Sequence, residues 1–292
     1  MARNPSLMST TLFWRSWAPH RENGSVPINY YSRTEIAGIR REGQVVMAIL
    51  DELRRAVQPG ITTAALDALA VRALKRHGAS SNFKGYAPIK GIRPFPGVIC
   101  SSVNEAIVHG IPGPYALREG DIVSIDFGAV VDGWHGDSAI TVPVGAISPE
   151  ARRLLDVTEE ALRRGIAAAQ SGNRVMDISR AVQTYVEGEG FSLIRQYTGH
   201  GIGRALHEEP TVLNYVDPKS ANPLLRPGMV MCIEPMVSAG RSGTRELADR
   251  WTVVTADGSL AAHFEHTVAI TANGPDVLTA SGVAPVASAG QS

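Results

Sequence analysis

The chain has 292 residues, 44% hydrophobic and 19% charged, enough to bury one substantial core or two small ones. Its 28 basic and 28 acidic side chains cancel, so nothing in the charge favours non-specific nucleic-acid binding. Cys100 and Cys232 form no metal or redox spacing and argue against a disulfide framework. No run approaches membrane-spanning length, the N-terminus lacks the apolar core of a secretory signal, and a reducing, cytoplasmic compartment is expected.

Residues 1–31 are mixed in polarity and without period, and are read as a flexible extension; Arg3, Arg15 and Arg21 before the first acid, Glu22, also fit a transit peptide. From Ser32 the pattern changes. Ser32 and Glu35 have capping-box spacing, and Ile36, Ile39, Val46, Leu50, Leu53 and Val57 share one face of a helix predicted over 34–57. Pro59-Gly60 ends it. Thr62 starts a second helix to about His77, with Leu66, Leu69, Ala73 and Leu74 inward.

A β-hairpin follows. Asp132-Gly133 is the dipeptide that most favours a two-residue type I′ turn, which sets Val131 opposite Trp134, Gly128 opposite Asp137 and Asp126 opposite Ala139. Alternation then puts Asp126 and Asp137 on one face as diagonal neighbours, roughly 7 Å apart at Cα. Two like charges so close repel, and a cation, or two, resolves the conflict. A solvated strand face or turn chemistry also accounts for such a pair taken alone.

The second half answers the first. Ser148-Pro149-Glu150 starts a helix carrying Leu155, Leu162, Ile166 and Ala169, Gly172 breaks it, and 175–187 forms its partner. Leu225-Arg226-Pro227-Gly228-Met229-Val230-Met231-Cys232-Ile233-Glu234 repeats Leu117-Arg118-Glu119-Gly120-Asp121-Ile122-Val123-Ser124-Ile125-Asp126, so Glu234 takes the place of Asp126. That strand is apolar enough to be buried, and a buried Glu needs a partner. A second hairpin is predicted from 251–255 and 260–271 around Asp257-Gly258, carrying Glu265 on its returning arm. Residues 274–292, rich in Ala, Gly, Ser and Val, are read as a loose tail.

Between the halves, Gly199-His200-Gly201-Ile202-Gly203-Arg204-Ala205-Leu206-His207-Glu208-Glu209-Pro210 lets the backbone approach a ligand while presenting two histidines. It lacks the Lys-Ser/Thr ending of a phosphate loop and the second His of a zinc-protease helix. A histidine in such a loop is, on its own, more often a structural hydrogen-bonder than a catalyst.

These pieces, with Cys100-Ser101-Ser102-Val103-Asn104-Glu105, Val108-His109-Gly110-Ile111-Pro112, Asp126-Phe127-Gly128, His135-Gly136-Asp137, Ile233-Glu234-Pro235-Met236 and Phe264-Glu265-His266-Thr267 in this order, resemble the type I methionine aminopeptidases over residues 32–273. The resemblance implies an α+β pita-bread fold, one catalytic domain of two duplicated halves around a curved antiparallel sheet. It implies two divalent metal ions, cobalt, manganese, iron or zinc, with Asp126 on one, His200 and Glu234 on the other, and Asp137 and Glu265 bridging.

In that picture a water held between the metals attacks the first peptide bond of a nascent polypeptide whose second residue is small. Glu234 shuttles the proton, His207 meets the carbonyl oxygen, and His109 contacts the peptide nitrogen or the residue beyond. Phe95, Cys100, Leu206 and Trp251 form part of the methionine slot, while His135, His263 and His266 orient ligands. A cytoplasmic monomer meeting nascent N-termini, with a ribosome contact left open and no nucleic-acid or membrane partner, completes the expectation. Leu206, where the family commonly has an aromatic, and an insertion at 87–93 depart from its pattern. A proline-specific peptidase of the same fold and a non-catalytic interaction protein are the other readings; all five expected ligands being intact counts against the second.

Overall fold

The structure is a computed structural model and describes residues 27–88 and 91–280. Helix α1 (Arg33–Ala56) starts where Ser32 and Glu35 complete a reciprocal capping box, which satisfies two backbone donors at the helix start. Helix α2 (Thr63–His77) is capped by Thr62 and ends on Gly78 in the left-handed conformation. Both bury an apolar face against the first half of the sheet.

Strands β1 (Ser80–Ser81), β2 (Cys100–Val103) and β3 (Ala106–Val108) lead into the long hairpin of β4 (Ile122–Val131) and β5 (Trp134–Pro143). Its register is the expected one, with Val131 opposite Trp134, Gly128 opposite Asp137 and Asp126 opposite Ala139. The turn residues Asp132 and Gly133 both have positive φ, 52° and 74°, as a type I′ turn requires.

The second half opens with α3 (Pro149–Ala168), capped by Ser148 with Pro at the first position, and α4 (Val175–Gly188). Then come β6 (Ser192–Leu193), β7 (Gly199–Gly201), β8 (Glu208–Val212), β9 (Val230–Ile233), β10 (Met236–Ser238), β11 (Thr244–Glu246), β12 (Val253–Thr255), β13 (Ala261–His263), β14 (Glu265–Thr271) and β15 (Gly274–Val277).

The main sheet runs β1-β4-β5-β14-β9-β7-β8, with β2 beside β4 and β15 beside β14, and two three-stranded sheets, β13-β10-β6 and β11-β12-β3, flank it. This is the pita-bread architecture: each half owns an apolar core under its helix pair, and β5 pairing with β14 joins the halves. Among the described residues no helix is long and apolar enough to cross a membrane.

Three expectations change. The second hairpin does not form: β12 pairs with β11 and β3, while the run 260–271 breaks at Phe264 into β13 and β14, which belong to different sheets. Asp257 is the reason at the turn, since its carboxylate accepts from Arg241 N at 2.8 Å, Ser259 N at 3.2 Å and Ser259 Oγ at 2.6 Å, making a side-chain-capped loop. Thr255 N and Ala261 N donate to the Glu105 and Asn104 carbonyls instead, each at 2.9 Å.

The tail also begins later than expected. Residues 274–277 pair with β14, and Leu278 and Thr279 are fully buried, because Thr279 Oγ1 accepts from Thr267 N and Leu278 N donates to the Thr267 carbonyl. At the other end the packed structure includes residues before Ser32: Tyr31 N donates to Gly228 O at 2.7 Å, and its hydroxyl donates to Glu208 Oε2 at 2.7 Å. The rest of the expected extension, 1–26, and of the tail, 281–292, lies outside the described residues.

Candidate metal centre

Register across the sheet builds the site. Cys100 pairs with Asp126, Asp126 with Ala139, and Ala139 with Glu265, so one row across four strands carries both acids on one face. The next row carries Gly128 and Asp137, then Thr267, whose Oγ1 donates to Asp137 O at 2.8 Å and accepts from Asp137 N at 3.2 Å, then Cys232 paired with Thr267. One step beyond the Gly201–Met231 pair, the same row reaches His200. Gly199 has no side chain because a Cβ there would overlap the Cys232 carbonyl.

Glu234 departs from simple equivalence with Asp126. Asp126 sits inside β4, whereas Glu234 lies at a corner between β9 and β10, where Pro235 cannot donate to a ladder. His263 ends β13 at the matching corner and stands beside it, with Nε2 3.6 Å from Glu234 Oε2; His200 Nε2 is 3.7 Å from Glu234 Oε1.

Ligand atoms of Asp126, Asp137 and Glu265 lie within 4.8 Å of one another, as do those of His200, Cys232 and Glu265. Glu265 is common to both groups, the place for a residue shared between two cations. Asp126 Oδ1, Asp137 Oδ1 and Glu265 Oε1 are buried without a hydrogen-bond partner among the described residues. Orphaned carboxylate oxygens in a dry site are costly, and cations satisfy them, so the donors fit divalent metal.

The titration of the groups says the same. Burial pushes the Asp126 carboxyl up to about 6. Burial, then Glu265 and Asp126, raises Asp137 well above the carboxylate range, and burial with neighbouring acids does so for Glu234 and Glu265. Without a cation the cluster holds protons to relieve its own repulsion. The imidazoles move oppositely: burial takes His200 down to about 4 and His109 to about 3, and lowers His207, so all three are neutral at physiological pH.

A pocket opens over this floor. Phe95, Cys100 and Trp251 form a buried cluster, with Phe95 and Trp251 rings edge to face at 5.2 Å and Trp251 Nε1 donating to Arg93 O at 2.9 Å. Leu206 lines the same space. His207 sits 4.4 Å from His200 between ring centroids, and its Nδ1 is 3.1 Å from Tyr86 Oη.

His109 holds a left-handed backbone, φ 59°, next to Gly110, where a Cβ would overlap the Ser101 carbonyl. Such strain persists where surrounding structure enforces it, as at functional sites. Its ring stands edge-on to Tyr197 at 5.4 Å and to Trp251 at 6.3 Å.

The eleven residues given catalytic, metal-holding or methionine-slot roles from the sequence all line this pocket or its floor, whereas His135 and His266 do not. Tyr86, Tyr197 and His263 were not given this place by sequence reasoning. His263 was grouped with His266 as a ligand's neighbour, yet alternation separates them: His263 and Glu265 share a face, while His266 turns to the other side and reaches Thr279 Oγ1 at 3.0 Å.

The model of metallopeptidase family M24 matches residues 37–272. The chain belongs to metallopeptidase family M24. It is therefore a peptide-bond hydrolase of a family that works with divalent metal. Over 245 residues it is 51% identical to methionine aminopeptidase 1 of Bacillus subtilis (strain 168), covering 84% of this chain and 96% of that one. The solved methionine aminopeptidase from Thermotoga maritima superposes with a TM-score of 0.82 at 41% identity, covering 87% of this chain and 99% of the other. That from Rickettsia prowazekii superposes equally well, TM-score 0.82, at 36% identity over 87% and 100%.

Proposed function

We propose that this chain is a methionine aminopeptidase that removes the initiator methionine from nascent polypeptides whose second residue is small. The observation that carries the reading is the convergence of acids from both halves, with their orphaned oxygens, on the floor of a pocket that Phe95, Cys100, Leu206 and Trp251 also line.

Asp126, Asp137, His200, Glu234 and Glu265 would hold two divalent ions, cobalt, manganese, iron or zinc. Bound there, such ions polarise the scissile carbonyl and lower the pKa of water. The chain's own residues do the rest. Glu234, at the corner beside His200 and His263, takes the proton from the attacking water and returns it to the leaving amine. A tautomer in which Tyr86 Oη donates to His207 Nδ1 would leave the imidazole proton on Nε2, to meet the carbonyl oxygen as it becomes an oxyanion.

His109, held neutral by burial and aimed by its strained backbone, contacts the peptide nitrogen. Phe95, Cys100, Leu206 and Trp251 surround the thioether, and Tyr86 and Tyr197 close the rim. Residues 27–280 form the catalytic unit, which meets nascent N-termini as a cytoplasmic monomer.

The test supplies a Met-Gly-type tripeptide to the protein loaded in turn with each of the four metals. Methionine release with at least one is expected. No release with any metal rejects the proposal, and preferential cleavage of X-Pro substrates replaces it with a proline-specific peptidase.

A further inference from the structure

The turn between β7 and β8 delivers Leu206 and His207 to the pocket, and Glu208, at the start of β8, closes it. Glu208 Oε1 accepts from Arg204 N at 2.8 Å and Ala205 N at 3.0 Å, so the ring made by this side chain encloses only Leu206 and His207. A turn that carries a catalytic imidazole has to be fixed against the rest of the fold, since misplacing such a group by about 1 Å costs on the order of a hundredfold in rate. The segment ahead of α1 supplies that anchor. Tyr31 Oη sits 2.8 and 2.7 Å from the two Glu208 oxygens and donates to them, and Asn29 Nδ2 donates to Oε2 at 2.9 Å. Tyr31 Oη in turn accepts from Arg204 N at 3.2 Å.

The ring is held as closely as its hydroxyl. Tyr31 is buried edge to face with Trp134 at 5.6 Å, and it covers Gly203 so tightly that a Cβ there would fall 2.2 Å from Oη. The Arg204 guanidinium stacks on the same Trp134, 3.4 Å from the ring centroid, and His135 N donates to Gly203 O at 2.9 Å. Leu206 belongs to the apolar cluster that Tyr31 and Trp134 share. Tyr31 does not line the pocket, and residues 27–31 precede the stretch 37–272 that matches the family model, so membership of the family gives them no task.

We propose that Tyr31 is a positioning residue for the reaction: through Glu208 its hydroxyl fixes the turn that aims His207 at the scissile carbonyl. This rests on the aminopeptidase reading above and deepens it. Because His207 is engaged most strongly as the carbonyl oxygen becomes an oxyanion, loss of the anchor falls on turnover rather than on substrate capture.

The full chain, loaded with the metal that supports fastest methionine release, is assayed on a Met-Gly-type tripeptide as the unaltered protein, Tyr31→Phe, His207→Ala and the double variant. Phenylalanine keeps the ring over Gly203 and removes only the donor. Tyr31→Phe should lower kcat about tenfold with KM changed less than about twofold, and should leave manganese affinity unchanged. In the His207→Ala background the same substitution should change kcat less than about twofold. If Tyr31→Phe does not fold, Asn29→Ala, at an exposed position, carries the same comparison with a kcat loss of about twofold to threefold that again disappears without His207. An equal loss in both backgrounds, a change in KM alone, or unaltered kinetics overturns the inference and leaves the aminopeptidase reading standing. No methionine release by the unaltered protein with any metal overturns both.

Discussion

Helices α1 and α3 take corresponding places behind the two halves of the sheet, yet they present different chemistry to it. α3 lays an apolar face on its strands, and Gly165 brings it close to Ile233, one residue before Glu234. α1 instead presses Glu42 against Gly136, one residue before Asp137, where any Cβ would overlap the carboxylate. Glu42 is fully buried, and neither oxygen has a hydrogen-bond partner among the described residues. Burial raises its carboxyl well above the usual range, and only when ionised would it add to the raising of Asp137. The halves are thus duplicated in outline, and only the first places an acid directly behind a strand that carries a candidate ligand.

The largest expected effect tests whether the halves act as one centre. Asp137→Ala and Glu265→Ala should each lower kcat/KM for a Met-Gly-type tripeptide by on the order of a thousandfold or more, and the double variant should fall little further. A variant that kept near-normal turnover would show one half working without the other.

Gly136→Ala comes next. Overlap with Glu42 should cost about 1–3 kcal/mol in denaturant unfolding, and Glu42→Ala in the same chain should recover most of that loss. Gly165→Ala, meeting the Val182, Ile233 and Ile178 methyls at 2.9, 3.2 and 3.5 Å, should cost about 1 kcal/mol or less because alanine favours the helix. Equal costs without rescue would erase the contrast.

The smallest effect is a pH slope. Glu42 keeps in the folded state a proton that the unfolded chain sheds, so the stability linked to it is complete below the ordinary glutamate pKa and drains as pH rises toward the folded value. Glu42→Gln removes that slope. In the metal-free protein the variant's gain in melting temperature should grow from about pH 5 to about pH 8, to a few degrees at most. A gain independent of pH would mean that Glu42 is charged in the fold.

The first half was legible because its information is local. Asp132-Gly133 sets the turn, the turn sets the register, and the register puts Asp126 and Asp137 on one face. In the second half the same counting failed at Asp257-Gly258, since strand partners there come from Ala106–Val108 and Met236–Ser238, far away in sequence. Glu234 and Glu265 were still found, through the internal repeat and the family resemblance, but the strand breaks at Pro235 and Phe264 that make their corners were not. Tertiary pairing decides such breaks, so His263 beside Glu234 could not be read from period alone. Glu42 escaped because a lone acid on an otherwise apolar helix face gives no hint of whether it is dry.

The segment after β14 joins α1, the first helix among the described residues. Gln44 donates its amide to the Leu278 and Ala280 carbonyls, 234 and 236 residues further on, Arg40 pairs with Asp276, and Gly43 leaves room for the Leu278 backbone. A chain emerging from its own ribosome therefore carries α1 with this side uncovered until residues 276–280 have been made. Folding cannot be completed from front to back, and a product cut short at residue 273 would lack the clasp even though every candidate ligand had been synthesised.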